Sequence, residues 1–232
     1  MAGGLDGSRL SMHHPLMHSP QAGVFALGTA SHAYLEFDAA ADRHAELVTA
    51  IASLREPRTT MGGVNLVAGF RPTLWRVTNA QVRAGSGTPQ AIPVGPEIAY
   101  TTGFNLNGIV ARGHKLIVVQ SNTGKLFSIV VKKGGTTREI HEIASDPVVG
   151  GDGMLLDRGR LLVVRGSPAA LLFLKLKDHA SSAELVATQT DSSLRGPSTV
   201  ARARHLYLVV NADFATSTTP FTVSGLPRGG KH

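Results

Sequence analysis

Asn107 and Asp152 stand 45 residues apart, in FNLNGIVA and GGDGMLLD, and each is followed by glycine and then by apolar residues. Asn offers a neutral carbonyl oxygen and Asp a carboxylate, the hard donors that Ca²⁺ or Mg²⁺ prefers and that Zn²⁺ accepts. A carboxylate can also take a proton or activate water. Asn107 and Asp152 are therefore the candidate metal ligands, and Asp152 is the candidate catalytic residue. Ca²⁺ takes about six to eight oxygens, so water, a symmetry-related chain or a further side chain such as Asn211 would have to complete the shell. A plainer reading stands beside this one: Asn-Gly and Asp-Gly are turn residues chosen for backbone conformation. Both readings are open for binding, and the turn reading is preferred for catalysis.

The elements that must position these residues repeat with them. Leu116 to Val119 (LIVV), Leu161 to Val164 (LLVV) and Leu206 to Val209 (LYLV) share the same interval of 45. Such a period marks β-propeller blades, in which equivalent positions ring a central axis that can hold a cation or substrate. The first repeat reads as strands over 107–111, 115–120 and 125–131, the second over 153–156, 160–164 and 171–176, with tight turns between. The third begins at Pro197, continues through 205–210 and ends in a strand near 221–223. Their continuous apolar runs, rather than clean alternation, predict strands covered on both faces. Residues 1 to 90 show no echo of the LIVV core, and a closed propeller needs about four to eight blades. The expected fold is mainly β, a partial propeller of about three blades over 94–226. Its broken ends would leave apolar faces that favour self-association.

The N-terminal part has a different rhythm. Residues 1–20 read as a flexible arm rich in Gly, Ser, His and Met. Residues 21–75 read as a small α+β, ferredoxin-like fragment: a strand ending at Phe37, a helix capped by Asp38 and stopped by Pro57, and a second strand in GGVNLVAGF. The glycines and prolines of 76–93 suggest a linker, and 227–232 a tail.

Composition narrows the function classes. The chain has 232 residues, no cysteine and a net charge of +7, which excludes disulfides, thiolate metal sites and a cysteine nucleophile. Its basic residues are scattered, the densest groups being Lys132-Lys133 and Arg202 with Arg204, and only 5% of residues are aromatic; no specific nucleic-acid surface is expected. No segment approaches a membrane span and the start lacks a signal-peptide pattern, so a soluble, cytoplasmic protein is expected. His13, His14 and His18 read as a solvated tail, and His32 as a satisfied polar residue on a strand. No nucleophile elbow, phosphate-binding loop or dinucleotide fingerprint is present.

Two resemblances rest on these residues. From about Ile98 to Leu226, FNLNGIVARGHKLIVVQSNTGKLFSI, GGDGMLLDRGRLLVVRG and VVNADF resemble the C-terminal half of the senescence marker protein/gluconolactonase-type six-bladed propellers. That resemblance implies a divalent cation, Ca²⁺ or Zn²⁺, on Asn107 and Asp152, with Asp152 as general base; the family's other two ligands, a Glu and an Asn, lie in earlier blades that this chain lacks. It also implies that relatives are exported in some cases. Pro20 to Trp75 resembles the opening β-α-β segment of dye-decolorizing peroxidases. The haem-binding positions of that family have no counterpart here, so haem is not expected. The functional expectation is metal-dependent hydrolysis of a small lactone or ester. The alternative is a non-catalytic propeller that binds a partner, and a haem protein lacking its haem-binding half comes third.

Overall fold

The computed structural model describes residues 63–67, 72–132, 137–213, 215–216 and 220–229. The expected arm, 1–20, and the strand and helix expected before Pro57 lie outside the described residues.

The described residues are mainly β and form four antiparallel sheets in chain order. The first contains β1 (Gly63–Val67), β2 (Thr73–Thr78) and β3 (Gln90–Pro93), with helix α1 (Asn79–Ala84) between the last two. The second is a four-stranded meander, β4 (Leu106–Arg112), β5 (Lys115–Gln120), β6 (Leu126–Val131) and β7 (Thr137–Ile143). The third repeats it with β8 (Gly151–Asp157), β9 (Arg160–Arg165), β10 (Ala170–Lys177) and β11 (Ser182–Gln189). The fourth has three strands, β12 (Pro197–Ala203), β13 (Leu206–Asn211) and β14 (Thr222–Pro227).

Several expectations change at this level. The span 76–93, read as a linker, carries the end of β2, α1 and β3. Its glycines and prolines serve local geometry: Thr78 caps the helix and forms a reciprocal capping box with Gln81, and Gly85 closes it at φ 65°. Within GGVNLVAGF, Gly63–Val67 pairs with β2, which in turn pairs with β3. A sheet thus precedes the three repeats, although TLWRVT lacks the unbroken apolar run that marks LIVV. β7 and β11 add a fourth strand to two repeats.

The packing explains the apolar runs. Leu116 and Val118 on β5 face a cluster with Leu74 and Ile92 of the first sheet. Their neighbours Ile117 and Val119 face the opposite way, against Leu161 and Val163 of β9. On β9 the next pair, Leu162 and Val164, packs on Tyr207 and Val209 of β13. Each middle sheet is therefore covered on both faces by its neighbours in sequence, and every residue of LIVV and LLVV is buried. Each such side chain contributes about 1.5–3 kcal/mol on burial.

The same packing corrects the third repeat. Tyr207 and Val209, not Leu206 and Leu208, fill the places of Leu116 and Val118. The hairpin ends agree, since Arg112 pairs with Lys115, Asp157 with Arg160 and Ala203 with Leu206. The structural interval is 45 from the second sheet to the third and 46 from the third to the fourth. One residue separates sequence similarity from structural equivalence.

Candidate functional site

The site grows from the starts of β4, β8 and β12, the strands through which the second, third and fourth sheets contact one another. Each strand opens with a register shift against its partner: between Leu106 and Ile109, between Gly151 and Met154, and between Pro197 and Thr199. A β-bulge of this kind places an extra residue in one strand and re-aims its side chain. Asn107 and Asp152 sit in the first two bulges at matching places. Asn107 is buried and Asp152 half-buried.

The glycine after each candidate is there for packing. A Cβ on Gly108 would fall on the backbone oxygen of Asp152, and one on Gly153 would lie 2.6 Å from Thr199 Cα. Neither glycine is among the residues at positive φ, so close approach between strands, not a turn, selects it. The turn explanation for Asn-Gly and Asp-Gly is replaced by this one. The consequence for chemistry is direct: the openings of β4 and β8 lie against each other, bringing the Asn107 and Asp152 positions together.

The loop leading into β4 is fixed by buried amides. Asn105 Oδ1 accepts from the Thr101 N–H at 2.9 Å and from Gln120 Nε2 at 3.0 Å. Its Nδ2 donates to the carbonyls of Thr101 and Gly103, each at 2.8 Å. Gln120 Nε2 also donates to the Ala99 carbonyl at 2.8 Å. These bonds hold the approach to Asn107 in one conformation.

Asn211, considered as a further ligand, is committed elsewhere. It stands opposite Pro197, the counterpart of Gln120 opposite Leu106. Its Oδ1 accepts the Arg195 N–H at 3.0 Å, and its Nδ2 serves Ser193 O, Thr222 Oγ1 and Ser224 Oγ at 2.9, 3.0 and 2.9 Å. It anchors the loop before β12. The position equivalent to Asn107 and Asp152 in the fourth sheet is Ser198, set between Pro197 and Val200 just as Asn107 is set between Leu106 and Ile109. A strict interval of 45 points to Pro197 instead, which is why the sequence does not reveal Ser198.

A second polar cluster also escapes sequence reading. Asp157, expected as a turn residue, has its side chain only 1% exposed. Oδ1 accepts from Arg202 Nη1 at 2.9 Å, and Oδ2 from Tyr207 Oη at 2.8 Å and Arg228 Nη2 at 2.7 Å. Burial pushes the Asp157 carboxyl up, but the bonds from Tyr207, Arg202 and Arg228 and the charge of Arg228 outweigh it and hold the group below its usual range. Arg228 also donates to the Arg204 carbonyl at 2.6 Å and lies 5.5 Å from the Tyr207 ring centroid. Residue 228, placed in the tail by the sequence, is a fastener between the third and fourth sheets. Three donors converge on the one carboxylate and join the third and fourth sheets, so the cluster's role is structural.

A hard cation suits the oxygen donors of Asn107 and Asp152. Among the described residues no group of three or more His, Cys, Asp or Glu side chains gathers to hold a metal. Any cation there depends on amide, hydroxyl or backbone oxygens and water in addition to Asp152.

Fold and site together define a mainly β protein of serially packed antiparallel sheets with bulged, mutually contacting first strands. No protein-family model matches the chain, and no curated protein matches it. Among solved structures it is similar to the major allergen Mala s 1 of Malassezia sympodialis, at 16% identity and a TM-score of 0.47 over 68% of this chain and 49% of that one. It is similar to the glutaminyl cyclase of Myxococcus xanthus at 9% identity and a TM-score of 0.38, over 61% and 60% of the two chains. For the N-terminal domain of Nup159 the values are 9% and 0.38, over 66% and 41%. The chain thus spans 41–60% of these proteins' lengths. Among the described residues no helix is long and apolar enough to cross a membrane.

Proposed function

We propose that the chain is a propeller-type binding protein whose ligand-facing position is the bulged opening of its inner strands, with Asn107 and Asp152 as the recognising groups. The observation that supports this reading is the close backbone contact between the two openings at Gly108 and Asp152, which puts the Asn107 and Asp152 positions on adjoining strands. Serial four-stranded meanders joined through their first strands are what propeller blades look like, and blade openings are where propellers hold ligands. The ligand class is a hard divalent cation, Ca²⁺ first, together with a small polar molecule that the cation would orient. Calorimetric titration of the full chain with CaCl₂ tests this. Millimolar or tighter binding that Asp152→Ala abolishes is expected; equal heats for the two proteins would end the proposal.

Metal-dependent hydrolysis of a lactone or ester is the second reading, favoured by one observation: Asp152 is a half-buried residue rather than a sealed one. A bound cation would supply polarisation of the carbonyl, and Asp152 would accept a proton from water. Turnover of a simple γ-lactone that disappears with a chelator and with Asp152→Asn would establish it, and no turnover by wild type would leave binding alone.

Self-association belongs to the same proposal. On β13 the residues that turn away from the third sheet, Leu206, Leu208 and Val210, are only half-buried, and Val223 beside Val210 is 51% exposed. In each middle sheet the matching face is covered by the next sheet. A second copy of the chain is the occupant proposed here.

A further inference from the structure

We infer that Ser198 is the third member of the ligand-facing set and supplies a hydroxyl oxygen to the cation held by Asn107 and Asp152; this rests on the binding function proposed above. Four observations lead to it. The register makes Ser198 the equivalent of Asn107 and Asp152, because Leu106, Gly151 and Pro197 pair with Gln120, Arg165 and Asn211, while Ile109, Met154 and Val200 pair with Val118, Val163 and Val209. The residues after the three bulges agree in packing, since Ile109, Met154 and Val200 each face the preceding sheet. The openings touch in series: Gly108 meets Asp152, and Gly153 meets Thr199, the residue after Ser198. Finally, Ser198 is 3% exposed and its Oγ has no hydrogen-bond partner among the described residues.

That last observation points to a ligand. Buried hydroxyls are almost always hydrogen-bonded, and one left without a partner asks for an explanation such as an ion. Asn211, which stands opposite the neighbouring Pro197, is committed to the loop before β12. Amide carbonyl, carboxylate and hydroxyl form an all-oxygen set of the kind that Ca²⁺ accepts, with water completing the shell. Soft or nitrogen-loving metals gain nothing from it. The set carries one negative charge, so affinity is modest and should rise with added carboxylate.

The experiment measures Ca²⁺ binding by calorimetry on the full chain for wild type, Ser198→Ala and Ser198→Asp, with cooperative unfolding checked for each. Ser198→Ala is expected to bind Ca²⁺ about threefold to tenfold more weakly. Ser198→Asp should bind about tenfold more tightly, and it should melt below wild type in chelator and recover in Ca²⁺, because its buried carboxylate then has a partner. If wild type binds Ca²⁺ through Asp152 while both Ser198 variants bind as wild type does, the role of Ser198 is refuted and the binding function stands. If Ser198→Asp is destabilised and Ca²⁺ does not rescue it, the hydroxyl does not face the cation. If wild type takes up no Ca²⁺, the binding function falls and this inference falls with it.

Discussion

Asp157 gathers Arg202, Tyr207 and Arg228 from 45, 50 and 71 residues further along the chain. Removing it leaves Arg228, whose side chain is 14% exposed, without its carboxylate. Breaking a buried pair from one side is destabilising by about 3–5 kcal/mol, so Asp157→Ala should lower the unfolding free energy by that amount in urea titrations. Tyr207→Phe removes one hydrogen bond and should lose about 1–2 kcal/mol. The pH dependence has a definite sign. Because the folded-state pKa of Asp157 is held below its unfolded value of about 3.9, its contribution is complete above that value and is lost as pH falls through the folded pKa. Wild type should therefore lose stability below about pH 4 more steeply than Asp157→Ala, as read from acid-unfolding curves. None of this was legible in the sequence, where Asp157-Arg158-Gly159 carries only the signature of a hairpin; partners so far along the chain leave no local pattern. Asn107 and Asp152, by contrast, were legible because the same residue context recurs at one interval.

At the scale of elements, hydrophobic runs predicted the strands best where both faces are buried. β5 and β9 lie where LIVV and LLVV placed them. β7 and β11 were missed because they are outer strands with polar sequences, TREIHEI and SAELVATQ, and most of β11 is exposed. β3 was hidden among glycines and prolines that in fact close a helix and open a strand. The slip from 45 to 46 in the fourth sheet has a similar origin: LYLV matches LIVV letter for letter in hydrophobicity, but packing seats Tyr207 where Leu116 and Leu161 sit. The glycines after the two candidate residues carry a prediction here. Gly108→Ala and Gly153→Ala insert a methyl group where another strand's atoms already lie, and overpacking of that kind destabilises by about 1–3 kcal/mol. Denaturant midpoints should fall for both with the slope unchanged; midpoints equal to wild type would mean that the strands do not approach so closely.

At the scale of the molecule, the described sheets are arranged in series: the first packs on the second, the second on the third and the third on the fourth. The outer face of β13 is where this series is left half-covered. If a second copy covers it, Leu208→Glu should shift the chain toward monomer in light scattering coupled to size exclusion, while Leu185→Glu, an exposed change on β11, should not. The proposed function turns on the bulged strand openings holding a cation through Asp152. Thermal unfolding with and without millimolar Ca²⁺ tests it most directly, because a ligand that binds only the folded state raises stability, by about 1.4 kcal/mol at ten times its Kd. A cooperative transition that Ca²⁺ moves upward in wild type and leaves in place in Asp152→Asn is expected. The same melting temperature with and without Ca²⁺ in wild type, or an equal shift in the variant, would contradict it.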